Sequence, residues 1–135
     1  MSKTFSNLAF KETQVGGGVD DVIIIEEGCT LPGGRTLDVT GVSGTDVVRA
    51  GTVLVQNTTD KTVKPLPQTV AGTWDSLPDG YAYIGLLKDT VSLEDPRAAI
   101  LVNGVVNGAA IETNTGAPIT ADIKAGLPHV QFLYI

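Results

Sequence analysis

The stretch AILVNGVV, residues Ala99–Val106, is the most apolar segment of the chain and decides how the fold is interpreted. Apolar residues occupy both alternating sets of positions, so the segment predicts a strand with both faces buried. Hydrophobic residues make up 42% of the 135 residues, and only 5% of the chain is aromatic. The composition therefore predicts one globular domain with a core built mainly from Val, Ile, Leu and Ala.

Short apolar or alternating segments recur on both sides of this strand, and turn signals separate them. Pro65 and Pro67 lack an N–H donor, which confines pairing there to an edge. The recurrence of strands favours an all-β barrel or sandwich over βαβ units. The further predicted strands are Val22–Glu26, Thr36–Val42, Thr52–Gln56, Thr62–Lys64, Tyr81–Leu87 and His129–Ile135; the predicted turns are Leu31–Gly34, Ala50-Gly51, Asn57–Lys61 and Leu77–Gly80.

One short helix is predicted near the C-terminus. Thr120 precedes Ala121–Ala125 and can accept hydrogen bonds from the free N–H groups at the helix start, while Gly126 supplies a stop. Pro128 prevents continuation, so the chain is expected to pass into a last strand.

The last predicted strand, His129–Ile135, carries apolar residues on both faces. Val130, Phe132 and Tyr134 are expected to point one way and Gln131, Leu133 and Ile135 the other. The alternation predicts that one face lies in the core and the other at a contact between subunits.

Residues 1–21 are predicted to form an extended N-terminal arm, followed by a single β-rich domain over residues 22–135. The arm is polar, and Gly16–Gly18 gives its backbone great freedom just before the first strand. Such a segment buries too little apolar surface to pack by itself, so we expect disorder in the free protein. Its isolated apolar residues are Phe5, Leu8, Phe10 and Val15.

Charge and cysteine content narrow the functional classes to which the protein can belong. Fifteen acidic and nine basic residues give a formal net charge of −6, and the basic residues are scattered, so nucleic-acid binding is not expected. A single cysteine, Cys29, excludes a disulfide within the chain and fits synthesis in a reducing cytoplasm. No signal peptide and no membrane-spanning apolar run is recognised, so no membrane partner is expected.

No catalytic or metal-binding pattern emerges. One histidine and one cysteine are too few for a zinc site, and no cofactor is expected. Nothing in the sequence positions Cys29 beside His129 as nucleophile and base, so His129 is interpreted as an ordinary strand residue. The pairs Asp20-Asp21 and Glu26-Glu27 lack the spacing of a calcium loop and are interpreted as solvated strand ends. An enzyme is therefore not predicted.

Trp74, the only tryptophan, lies in the segment Gly72–Asp75. Two interpretations stay open: a side chain packed over the core, or an anchor at a subunit interface. Packing is the preferred interpretation, and the interface is kept as the second.

Several segments follow one another in an order that resembles the lambda-type head decoration proteins of tailed phages. They are VRAGTVL at Val48–Leu54, YAYIGLL at Tyr81–Leu87, AILVNGVV at Ala99–Val106 and ITADIKAGLPHVQF at Ile119–Phe132. The resemblance covers roughly residues 48–135 and rests on order and spacing, because each piece is short. The N-terminal third departs from the family pattern, notably at Gly16–Gly18 and Cys29.

The resemblance implies a small β-tulip or β-clip-like subunit that is not an enzyme. In that family three subunits surround a local threefold axis on the outside of an expanded capsid, where they cement the major capsid protein. The resemblance also implies an arm that becomes ordered by adding to capsid β-structure, so that its apolar residues fill pockets. The expected location is the virion surface, after synthesis in a bacterial host from a phage or prophage gene. The candidate trimer-interface residues are Trp74, His129, Gln131, Leu133 and Ile135.

Two alternatives were weighed against this interpretation. A phage head fibre or fibre base would be favoured by a coiled-coil stalk, and the sequence contains no such pattern. A soluble β-barrel that binds a small ligand or a carbohydrate would need a pocket rimmed by aromatic residues. Three Tyr, three Phe and one Trp are a sparse supply for such a pocket.

Overall fold

The structure, a computed structural model, describes residues 23–40, 42 and 46–135. Strands dominate, and two short helices lie late in the sequence, so the predicted class, all-β with minor α, is confirmed. The elements are β1 (Ile24–Thr30), β2 (Arg35–Thr36), β3 (Val47–Val48), β4 (Val53–Asn57), β5 (Val63–Pro65), β6 (Tyr81–Leu87), β7 (Val91–Ser92), β8 (Arg97–Ala98), β9 (Ile100–Asn107), α1 (Gly108–Thr115), α2 (Ala121–Gly126) and β10 (Val130–Leu133).

The main sheet has six strands and is organised around β9. Its order is β1-β9-β6-β4-β5, and β10 also pairs with β9. On one side β1 runs antiparallel along β9; on the other side β6 pairs with Ile100 and Leu101, and β10 pairs further along, from Gly104 to Asn107. Two small ribbons, β2–β8 and β3–β7, lie outside this sheet. β9, which contains most of the segment Ala99–Val106, therefore has more strand partners than any other described strand.

Alternation along the strands builds two core clusters, one on each face of the sheet. On β4, Val53 and Val55 join the larger cluster and Leu54 joins the smaller one. On β9, Leu101 and Ile100 divide in the same way, so both faces of this part of β9 are buried, as predicted. The larger cluster also contains residues of both helices, which cover that face of the sheet.

Local side-chain hydrogen bonds explain the β4–β5 hairpin. The Asn57 side-chain oxygen accepts from the N–H groups of Thr59 and Asp60, at 2.8 and 3.2 Å, which closes the turn. The hairpin agrees with the prediction, and β5, which contains Pro65, lies at the edge of the main sheet, as its proline requires.

One helix was missed. Only the helix near Thr120 was predicted, and it is observed as α2, with the Thr120 hydroxyl accepting from the Ile123 N–H at 3.3 Å. Helix α1 follows β9 without a loop, because the Asn107 side chain accepts from the N–H groups of Ala109 and Ala110. Both helices form the connection from β9 to β10, which a parallel strand pair requires.

Two further sequence predictions were wrong in detail. The strand predicted over Thr36–Val42 ends at Thr36; the Asp38 carboxylate accepts from the Thr40 N–H at 3.0 Å and turns the chain there. Glu26 and Glu27 were interpreted as strand ends, but they lie within β1, which continues to Thr30.

Gly85 lies where β6 leaves no room for a side chain against β9, which gives a stability test. A Cβ atom built at Gly85 meets the backbone oxygen of Leu101, and paired backbone cannot move aside without losing the ladder. We expect Gly85→Ala to lower the free energy of unfolding by about 1–3 kcal/mol, measured by urea denaturation. Ala82→Ser, at an exposed position of the same strand, is the control and should change it by less than about 0.5 kcal/mol.

Candidate functional site

The last strand forms a partly exposed apolar surface beside β9. Val130 and Phe132, which were predicted to share a face, both pack on the larger core cluster, whereas Tyr134, predicted on the same face, is exposed. Gln131 is exposed, and Leu133 is half-buried. Beyond the strand, the exposed fractions are 48% for Tyr134 and 79% for Ile135. The outward side of β10 is therefore available to a neighbour.

Tyr134 ties this surface to both helices. A Cβ atom added at Gly108, where α1 begins, would lie 2.6 Å from the Tyr134 ring, so only glycine leaves room for it. The Lys124 ammonium lies 5.1 Å from the ring centroid, a cation–π geometry. Partial burial, together with a hydrogen bond to Glu112, raises the pKa of Tyr134. Nothing in the sequence pattern pointed to this cluster, because its members come from three separate elements.

The opposite flank of β9 carries β1, whose second edge has no strand partner among the described residues. The residues of β1 from Ile25 to Cys29 are exposed, and the exposed fraction of Ile25 is 45%. Lys88 lies 2.6 Å from the Glu27 carboxylate, and this hydrogen bond raises the pKa of Lys88. Because both side chains are substantially exposed, the pair contributes little to stability.

Cys29 and His129 lie on opposite sides of β9. Cys29 is in register with Asn103 on the β1 side, and the His129 carbonyl accepts from the Gly104 N–H on the β10 side, at 3.2 Å. Two strand spacings, about 10 Å, therefore separate their backbones. The thiol and the imidazole do not form a nucleophile–base pair in this arrangement.

Trp74 lies in the larger core cluster and is only 6% exposed, so it offers little surface to a neighbour; its position agrees with the packing interpretation. The loop that carries it is closed by Asp75. The Asp75 carboxylate accepts from the Thr69 hydroxyl at 2.5 Å and from the Thr69 N–H at 2.9 Å. The hydrogen bond from the Thr69 hydroxyl has the larger effect and the one from the Thr69 N–H the smaller, and together they hold the pKa of Asp75 below its ordinary value.

Of the predicted interface residues, His129, Gln131, Leu133 and Ile135 are brought together at β10, and Trp74 is in the core. The arm residues Phe5, Leu8, Phe10 and Val15, the pair Asp20-Asp21 and the glycines Gly16–Gly18 lie outside the described residues. Within the described part of the chain, no group of three acidic, histidine or cysteine side chains is placed to hold a metal ion. The described helices also include none long and apolar enough to cross a membrane.

Comparison of the chain with protein-family models, with curated proteins and with solved structures finds no match.

The Asp75–Thr69 contact predicts a pH-dependent stability difference. A carboxylate with a lowered pKa stabilises the fold above its ordinary value of about 3.9, and this contribution is lost as the pH falls through the lowered value. We expect Asp75→Asn to lower the Tm at pH 7 and the difference from the native chain to shrink towards pH 2. Thermal unfolding across that range measures it.

Asp79→Asn is the matched control for this measurement, because it removes the same charge from an exposed turn. Its Tm should follow that of the native chain at each pH. A Tm difference for Asp75→Asn that is the same at pH 7 and pH 2 would contradict the assigned role of its carboxylate.

Proposed function

We propose that this protein is a structural subunit of a tailed-phage head, related in design to the lambda-type decoration proteins. Three copies assemble around a threefold axis and bind the major capsid protein on the outside of the expanded shell. The subunit stabilises the shell mechanically and performs no chemistry. Its location would be the virion surface, after synthesis in a bacterial host.

The observation that carries this proposal is the surface at β10. Tyr134 and Ile135 are exposed apolar residues, and half-buried Leu133 precedes them on an outer strand of the sheet. β9 is the only strand paired with β10 among the described residues, and apolar side chains next to an open strand edge favour association with another chain. β9 pairs with β10, and both helices contact Tyr134, so this surface is built on the sheet and the helices together.

The positions of the family-like segments also support the proposal. YAYIGLL forms β6, AILVNGVV contributes most of β9, and ITADIKAGLPHVQF forms α2 and most of β10. β6 and β10 both pair with β9, so segments far apart in sequence are neighbours in one sheet. The segments that resemble the decoration-protein family therefore lie together in this chain, in one sheet and the helix that connects to its last strand.

In this proposal the N-terminal arm, residues 1–21, attaches the subunit to the capsid by strand addition. Main-chain hydrogen bonds would supply affinity, and Phe5, Leu8 and Phe10 would fill pockets on the capsid protein. Ordering a flexible segment costs about 1–2 kcal/mol per residue, so one arm binds weakly. Three arms on one trimer raise the effective concentration and convert weak contacts into lasting attachment.

The assembly prediction concerns the β10 surface. We expect the native chain to be a trimer in solution, and Ile135→Lys to shift it towards monomer, because burying an isoleucine contributes about 1.5–3 kcal/mol. Sedimentation velocity over a concentration series measures the shift. Val70→Lys is the matched control, since Val70 is 67% exposed but lies outside the proposed interface; it should stay trimeric. A native chain that is monomeric at high concentration would contradict the proposal.

The attachment prediction concerns the arm. Deleting residues 1–15 should leave the thermal unfolding and the trimer unchanged but abolish binding to expanded heads of the phage that encodes the chain. Co-sedimentation with those heads measures binding, and Val70→Lys again serves as a folded control. Equal binding by the truncated and native chains would disprove the arm mechanism while leaving the trimer prediction intact.

A further inference from the structure

A cleft of about 640 Å³ lies away from the β10 surface, and its walls come from four parts of the chain. The loop after β2 supplies Asp38, and the turn after β3 supplies Arg49. Strand β5 and the loop that follows it supply Lys64 and its neighbours, and the end of α1 forms the remaining described wall. Trp74 forms part of the same lining. The volume falls within the range of small-molecule sites, about 300–1,000 Å³.

The cleft reverses the charge balance of the chain. The chain as a whole has a net charge of −6, whereas the described residues of the lining include two cations, Arg49 and Lys64, and one carboxylate, Asp38. Arg49 is half-buried and forms no ion pair among the described residues. A guanidinium that is partly removed from water and forms no ion pair with a described residue favours binding of an anion.

Trp74 supplies a second, independent indication. Its indole Nε1 is buried and has no hydrogen-bond partner among the described residues, the only side-chain atom of the described part in that position. A buried donor without an acceptor costs about 1–3 kcal/mol. Trp74, a lining residue, therefore has a buried donor without an acceptor, and Arg49 is a cation without an ion pair in the part of the chain that the structure describes. An oxygen acceptor with negative charge suits both.

We propose that this cleft binds a carboxylate group, with the Arg49 guanidinium as its charged partner and the Trp74 indole N–H as a donor that gains an acceptor when the ligand enters. The Nε1 atom is covered in the free protein, so ligand binding includes a shift of the loop between Pro67 and Asp75 that carries Trp74. This binding site is independent of the proposed role in a phage head.

The lining favours a carboxylate over a phosphate. Asp38 remains in the wall with its carboxylate accepting from the Thr40 N–H, and its negative charge opposes a phosphate group, which carries up to two charges, more than a carboxylate group, which carries one. The planar fork of Arg49 matches the two oxygens of a carboxylate. Lys64, whose ammonium lies 4.5 Å from the centroid of the Tyr81 ring, adds a long-range attraction and is already held in place.

The test uses the indole N–H signal of Trp74, which is unique because the chain has one tryptophan. Uniformly ¹⁵N-labelled protein is titrated with glutarate, and sodium chloride at matched ionic strength is titrated in parallel. We expect a saturable shift of the indole signal with glutarate and none with chloride. A linear or absent response to glutarate, or an equal response to chloride, would overturn the proposal.

Two arginine variants assign the charged partner. Arg49→Gln should weaken binding about tenfold or more, because a charge-assisted pair becomes a neutral hydrogen bond. Arg97→Gln is the matched control: Arg97 is exposed, pairs with Asp95 outside the cleft, and should bind glutarate as the native chain does. If Arg49→Gln does not fold, Lys64→Gln removes the other positive charge of the described lining and should weaken binding several-fold; undiminished binding by that variant would overturn the attraction of the cleft for anions. Undiminished binding by a folded Arg49→Gln protein would overturn the assignment.

The carboxylate can belong to a free small molecule or to a side chain of another protein. The capped peptide Ala-Ala-Glu-Ala-Ala and its Gln counterpart distinguish these sources in the same titration. Saturation by both glutarate and the Glu peptide supports a site open to a protein segment, and saturation by glutarate alone supports a small metabolite. Equal saturable shifts from the Glu and Gln peptides would show that the site does not recognise a carboxylate, which contradicts the proposal.

Discussion

Backbone pairing to β9 is the constraint on which the rest of the structure depends. Because β1 occupies one side of this strand while β6 and β10 share the other, the first and last described strands are joined through it. The approach is close enough to require glycine on both sides. A Cβ atom at Gly104 would lie 2.5 Å from the Glu26 carbonyl oxygen, and one at Gly85 would meet the Leu101 carbonyl. Bulky residues at either position would separate the sheet along its centre.

The same constraint places the candidate interface. A parallel partner for β9 needs a long connection, and α1 with α2 supplies it while covering the larger core cluster. The strand that results lies at an outer edge, with Tyr134 packed against Gly108 and with Ile135 exposed. The surface proposed for trimer formation is therefore a consequence of how the sheet is completed. The cleft beside Arg49 and Trp74 shares only α1 with this surface and involves the opposite end of that helix, so we expect carboxylate binding there to leave assembly unaffected.

The sequence determined the features that depend on local pattern. Alternation and β-branched runs predicted β4, β5, β6 and β9, the proline at position 65 predicted an edge, and Thr120 predicted the start of α2. Such signals involve residues within a few positions of one another, where backbone preferences and turn hydrogen bonds act directly. Helix α1 escaped prediction because its last three residues, Thr113–Thr115, have weak helix propensity, and its Asn107 cap lies at the end of a strand.

Only the tertiary structure decided which distant residues meet. The sequence allowed two interpretations of Trp74, packing over the core, which was preferred, and a subunit interface. In the structure Trp74 packs in the larger core cluster. The Tyr134–Lys124–Gly108 contacts and the meeting of Arg49, Lys64 and Trp74 around one cleft join residues that no spacing rule connects. Patterns of hydrophobicity specify which faces are buried, but sheet order and strand crossover decide what each face is buried against. For that reason the fold class was available from the sequence, whereas the composition of each surface was not.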